Sequence, residues 1–259
     1  MASTVDVINR SGRTPVVLVC EHASSFIPPE FANLGLSEET AKSHIAWDPG
    51  ALSVAEHLTE ILDAPLIAQK TSRLLYDCNR HPSAPDAVPA KSEIYDIPGN
   101  TGLSQADINV RAARFYEPFR KQINAVMEQK SQNGFPPVLV TIHSFTPIYY
   151  GKPRSVELGI LHDNDIRLAN NLLNELGNET NLNVERNQPY GPQDGVTHTL
   201  IEHGIKRGAL NVMLEIRNDL IVRENSQKEM ASLLGPALIS SIAELDCKIT
   251  AHLSEAEQL

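Results

Sequence analysis

The sequence predicts a three-layer α/β fold with a mostly parallel central sheet, and three observations carry that expectation. Short continuous runs of Val, Ile and Leu recur along the chain, the pattern of strands buried on both faces. Between them lie segments whose apolar residues repeat at helical spacing. The alternation of the two is that of a largely parallel sheet covered by helices, with no internal repeat or low-complexity stretch. At 259 residues the chain can bury a substantial core without disulfide or metal staples. It is read as one domain over residues 1–259.

The elements follow in order. After a polar leader, residues 15–20 read PVVLVC, a buried strand that ends in Glu21-His22. Ligands of open α/β sheets bind beyond the carboxyl ends of the strands, so this histidine stands where chemistry is usually found. Residues 50–62 put Val54, Leu58, Ile61 and Leu62 on one helical face, and Asp63-Ala64-Pro65 turns the chain into a short strand over 65–68. The stretch 78–103 is rich in Pro and Gly and lacks periodicity, and a loop of that length in a compact domain is usually functional. From Ser104 a capped helix carries Ile108, Ala112, Phe115, Phe119, Ile123 and Met127, with a kink expected at Pro118. Gly134 and Pro136-Pro137 close it. A second buried run, 138–142, delivers His143-Ser144. Further strands are predicted over 156–161, 182–185 and 210–216, and a helix over 166–176. An apolar stripe from Met230 to Leu245 predicts a C-terminal amphipathic helix despite Gly235-Pro236.

With 22 basic against 32 acidic residues the formal charge is -10, a field that repels phosphate backbones and anionic membranes. Nucleic acid and membrane are therefore not expected partners, and no apolar run reaches bilayer length. Cys20, Cys78 and Cys247 show neither zinc-knuckle pairing nor the density of a secreted scaffold, which fits a reducing compartment. The polar N-terminal segment lacks a signal-peptide core. A cytoplasmic location is expected.

Imidazoles and carboxylates at strand ends can converge on one metal, and three such ligands with an open position define a catalytic zinc site. His22, Asp48 and His143 are the candidates, zinc or another divalent metal the expected cofactor. Asp48, in AWDPG, has a plainer reading as a helix cap. Glu21 is a rival ligand, although adjacent strand residues point to opposite faces. Glu215 is an ionisable group in the apolar run VMLEIRNDL, where burial would raise its pKa toward that of a general base; its plainer reading is an ion pair with Arg217. Arg73, Arg80, Arg154 and Arg217 are candidates to fork a substrate carboxylate, with surface solubility as the plainer reading of each. Asp77 and Asn79 order their loop or contact ligand. No G-x-S-x-G elbow, G-x-G-x-x-G turn or phosphate loop is present. The thiol of Cys20 reads as packing rather than as a nucleophile.

The ordered segments CEHASSFIPPE, HIAWDPGA, SRLLYDCNR, IPGNTGLS, TIHSFTP, HTLIEHG and LEIRNDLI span nearly the whole chain, and in this order they resemble the N-formylglutamate amidohydrolase family. The resemblance implies hydrolysis of the amide bond of a small N-acyl amino acid, with N-formyl-L-glutamate of histidine breakdown as the namesake substrate. Aminoacylase or small-peptide carboxypeptidase activity, or a metal-free binding role, are the alternatives. It also implies a fold similar to zinc carboxypeptidases and aminoacylases, whose ligand set maps onto His22, Asp48 or Glu21, and His143. A similarity to cell-wall zinc amidases places a catalytic Glu at Glu215. Ser144, Asn79 and His198 are then expected at the substrate, and His203 with His198 near the oxyanion. The H-x-x-E motif of carboxypeptidases is absent after His22, and His198 stands where relatives carry tyrosine.

Overall fold

The structure, a computed structural model, describes residues 3–134 and 136–256; the side chain of Cys247 lies outside what it describes. The strands are β1 (Val5–Ile8), β2 (Val16–Cys20), β3 (Leu66–Gln69), β4 (Lys91–Ser92), β5 (Tyr95–Asp96), β6 (Val138–Phe145), β7 (Ile148–Tyr149), β8 (Lys152–Pro153), β9 (Leu158–Leu161), β10 (Val184–Arg186) and β11 (Leu210–Arg217). The α-helices are α1 (Glu38–Ala41), α2 (Ala51–Leu62), α3 (Gln105–Arg111), α4 (Glu117–Gln132), α5 (Arg167–Glu179) and α6 (Glu224–Ala256).

The β-branched runs form the centre of a seven-stranded sheet in the order β1-β3-β2-β6-β11-β9-β10. Strands β3, β2, β6 and β11 run parallel. The parallel pair β9-β10 runs the other way beside β11, and β1 lies antiparallel on β3. The sheet is thus mostly parallel, as the sequence predicts. Successive residues of a strand face opposite layers. Val16, Leu18 and Cys20 pack with α2, α5 and α6, whereas Val17 and Val19 pack with Phe119, Ile123 and Met127 of α4. Helices therefore cover both faces.

Beyond the short elements α1, β4, β5, β7 and β8, which the sequence does not predict, two departures concern the sheet edge and the helix from Ser104. The polar leader contains β1, whose single buried residue is Val5; four residues at a sheet edge are too few for a legible pattern. The long helix from Ser104 does not kink at Pro118. It breaks one turn earlier, as a π-helical turn over Ala112–Tyr116 that separates α3 from α4 and leaves Pro118 in the first turn of α4, where its missing N–H costs nothing. Ser104 caps α3 through a reciprocal pair of hydrogen bonds with Asp107. In α6 the helix runs through Pro236. Among the described residues no helix is long and apolar enough to cross a membrane.

Candidate active site

The carboxyl ends of β2, β6 and β11 open on one side of the sheet, and register puts their polar residues together: Glu215 lies beside His143 across the β11-β6 ladder. Asp48 arrives from the turn before α2. Its backbone N–H donates to the carbonyl of His22 at 2.9 Å, which fixes one segment against the other. Gly50 caps α2 at φ +82, and a Cβ there would lie 2.6 Å from the carbonyl oxygen of Ile221, so this turn needs glycine. Ser144 holds the turn from the other side, its hydroxyl donating to the carbonyl of Pro49 at 2.8 Å and its N–H to Oδ2 of Asp48 at 3.3 Å. The cap reading of Asp48 does not apply, because no side chain caps α2.

Three donor atoms then meet in a small triangle. Asp48 Oδ2 is 2.9 Å from Nδ1 of His143 and 3.2 Å from Nδ1 of His22, and the two imidazole nitrogens are 3.2 Å apart. Tetrahedral ligands on bonds of about 2.0 Å stand about 3.3 Å from one another, so the triangle has the dimensions of one face of a zinc site. All three residues are buried, and they form the candidate metal group. The far nitrogens of both rings face carboxylates. His22 Nε2 is 2.8 Å from Oδ1 of Asp77, and His143 Nε2 is 3.1 Å from Oε2 of Glu21, in a contact without hydrogen-bond alignment. Carboxylates behind imidazoles fix ring orientation and raise ligand basicity. Glu21 thus stands behind His143 rather than in the triangle.

Arg73 does not reach for substrate with a free fork. It donates to Asp48 Oδ1 and to Asp77 Oδ2, both at 3.2 Å, and clamps the two carboxylates. Burial alone would raise Asp48 and Asp77, but His22 and Arg73 hold both well below the usual carboxylate range, with a hydrogen bond from His143 adding at Asp48. Burial opposes a charged His143; Glu21 and Asp48 outweigh it and raise that imidazole well above its ordinary value.

Glu215 behaves in the opposite sense. Burial raises it to about 7, with His143 opposing and Asp48 assisting, and its Oε2 has no hydrogen-bond partner. The expected ion pair with Arg217 is not formed: Arg217 pairs with Glu157 and Asp219, at 3.2 and 2.8 Å. The strand opposite Glu215 carries Gly159, and a Cβ there would lie 1.9 Å from the carbonyl oxygen of Gln188. That bare position lets the 188–190 segment lie against β9 and bring Tyr190 to the same cavity.

The cavity measures about 590 Å³ and is lined by His22, Asp48, His143 and Glu215 together with Arg73, Asn79, Arg80, Ser144 and Arg154. Of the residues expected at the site, His198, His203 and Arg217 are not among its lining. His198 faces the hydroxyl of Tyr116 at 2.8 Å, and His203 faces Asn124 at 2.8 Å. Asn79 spends its amide on the carbonyl of Val196 and on the N–H of Thr199, and so fastens the loop over 196–199 to the cavity wall. Arg80 binds Asp86 at 2.7 Å and the carbonyl of Gly195. Sequence reasoning missed three aromatic rings around Arg154, those of Tyr149 at 4.4 Å, Tyr190 at 4.8 Å and Phe145 at 5.5 Å. Only Phe145 had a sequence signal, its position two residues after His143 on β6.

Fold and donor set define an α/β protein whose parallel strand tips gather a buried, cation-sized group of imidazoles and carboxylates at one wall of a polar cavity. The chain belongs to the N-formylglutamate amidohydrolase family, whose model matches residues 14–222. Hydrolysis of amide bonds is the reaction class of that family. The chain is 48% identical to a gene product of Agrobacterium tumefaciens of known crystal structure, with a TM-score of 0.92 over 95% of this chain and 97% of that one. An N-formylglutamate amidohydrolase from Ralstonia eutropha JMP134 shares the fold at 17% identity and a TM-score of 0.64, over 94% of this chain and 100% of that one. No curated protein matches the chain.

Proposed function

We propose that the protein hydrolyses the amide bond of a small acidic N-acyl compound, N-formyl-L-glutamate or a related N-acyl amino acid, at the cavity between β2, β6 and β11. The triangle of His22, Asp48 and His143 carries this reading. Its edges of 2.9 to 3.2 Å, its burial, and the carboxylates behind both rings fit a divalent cation, zinc first. When bound, such an ion supplies Lewis-acid polarisation of the scissile carbonyl and makes water acidic enough to deprotonate near neutrality.

The chain's own residues do the rest. Asp77, accepting from Nε2 of His22, holds that imidazole in the tautomer that presents Nδ1 to the triangle, Glu21 lies 3.1 Å behind Nε2 of His143, and Arg73 fixes Asp48. Glu215, its carboxyl raised to about 7 by burial, takes a proton from the attacking water and returns it to the departing nitrogen. The buried free thiols Cys20 and Cys78 fit the cytoplasmic location expected from the sequence.

The test is release of formate or another acid from N-acyl amino acids by purified protein, before and after chelation, with elemental analysis of the same samples. Turnover that follows zinc content supports the proposal. Undiminished turnover by metal-free protein overturns it.

A further inference from the structure

We infer that Arg154 sets the substrate class: the cavity takes an N-acyl α-amino acid with one carboxylate, bound by Arg154, and a neutral side chain, in preference to a dicarboxylate. This rests on the amide-hydrolase reading and narrows its substrate from N-formyl-L-glutamate to the related N-acyl amino acids with an uncharged side chain. Three arginines line the cavity, and two are committed. Arg73 spends both arms on Asp48 and Asp77, and Arg80 binds Asp86 and backbone carbonyls. Arg154 donates to the Thr146 carbonyl at 3.3 Å and to the phenol oxygen of Tyr190, and it is in no ion pair with a carboxylate among the described residues. Among the described residues it is the guanidinium of this cavity whose charge has no carboxylate partner.

That guanidinium is also held in place. Tyr149, Tyr190 and Phe145 surround it within 5.5 Å, and such faces stabilise a cation while leaving the planar N–H fork at its edge open. A carboxylate can then be taken bidentately with little ordering cost. Tyr190 ties this anchor to the reacting end, since the charge of Glu215 acts on its phenol.

A second carboxylate finds no equivalent place. The remaining lining cation, Lys91, is exposed on the two-residue strand β4, where solvent screens it. The same walls carry Asp86, paired with Arg80, and Glu93, paired with His44, so neither pair leaves a free positive charge for a second carboxylate. Apolar groups are available instead, from Ile45, Leu74, Val196 and the rings themselves. A neutral side chain meets these without a desolvated, unpaired charge.

N-formyl-L-glutamine and N-formyl-L-glutamate have the same shape and differ by one charge, and they decide the point on zinc-reconstituted full-length protein. The expected kcat/KM favours the glutamine compound by about tenfold, one unpaired charge in a partly solvated cavity. Arg154→Gln lowers kcat/KM about a hundredfold for both. Equal or reversed preference, or an unchanged Arg154→Gln, overturns the inference; if that variant fails to fold, the wild-type ratio still decides. Dissociation constants of the two compounds on zinc-loaded Glu215→Gln protein, by calorimetry, give the same order without turnover. Ordered binding with no hydrolysis by wild type would sink the amide-hydrolase reading and leave the substrate class standing. Hydrolysis that favours glutamate does the reverse.

Discussion

Replacing Glu215 with Gln separates chemistry from assembly. The side chain is 6% exposed, its Oε2 has no partner, and it is not in the ligand triangle, so the amide fits the same space and leaves His22, Asp48 and His143 in place. A positioned general base contributes about 10²–10⁴ in rate. At about 1.4 kcal/mol per tenfold, the barrier rises by about 3–5 kcal/mol. Stability moves the other way in metal-free protein. Burial raises the Glu215 carboxyl to about 7, so above that pH the folded wild type carries an ionised buried group that the unfolded chain ionises freely, and the amide removes this penalty. Glu215→Gln should therefore bind zinc like wild type, melt no lower at pH 8 when chelated, and lose at least a hundredfold in kcat. Formate release, elemental analysis and a melting curve on one preparation supply all three readings. A variant with full zinc and kcat within threefold of wild type would refute the assigned proton transfer.

Three further outcomes follow from the same geometry. Asp77→Asn removes the charge 2.8 Å behind His22 and should weaken zinc about 10–100-fold in competition with a chromogenic chelator, with unchanged affinity counting against the orienting role. Gly50→Ala forces a Cβ at φ +82 against the carbonyl of Ile221 and should cost about 1–3 kcal/mol in urea unfolding, while a neutral result would mean that the turn before α2 readily rearranges. Burial lowers His203 to about 3 and His198 to about 4, so the folded state keeps both neutral while the unfolded chain protonates below about 6.5. Stability from these residues is complete above that pH and is lost as pH falls toward 4; His203→Gln should flatten the slope of unfolding free energy between pH 7 and 5, and an unaltered slope would remove His203 as its source.

The layers of the fold were legible because buried strands are written continuously: all five residues of β2 and all eight of β6 are buried, and no helical period competes in those runs. The convergence of His22 and His143 followed from their positions after two such strands. What surrounds them was not legible. Glu21 looked like a rival ligand, and only the side of His143 on which it stands makes it a partner of the far nitrogen. Arg73 and Arg217 both stood as candidates to fork a substrate carboxylate, yet one clamps Asp48 to Asp77 and the other pairs with Glu157, contacts set by tertiary register rather than by local sequence. His198 and His203 sit in a motif as recognisable as any other, but a π-helical turn over Leu200–Gly204 carries His203 to Asn124 of α4 and away from the cavity.

Charge accounting explains why the triangle and its carboxylates occur together. Glu21, Asp48, Asp77 and Glu215 are four carboxylates no more than 6% exposed, and among the described residues Arg73 is the single guanidinium paired with any of them. Unpaired buried charges cost several kcal/mol each, so the excess must be met inside the site. Without metal the protein meets it with protons: the imidazoles of His22 and His143 are raised toward their charged forms, and Glu215 toward its neutral one. A divalent cation would bring the same two positive charges as the two imidazolium protons while leaving the imidazoles neutral and free to ligate. The acidic surround that steadies the protonated site would then supply the affinity for the ion that displaces those protons.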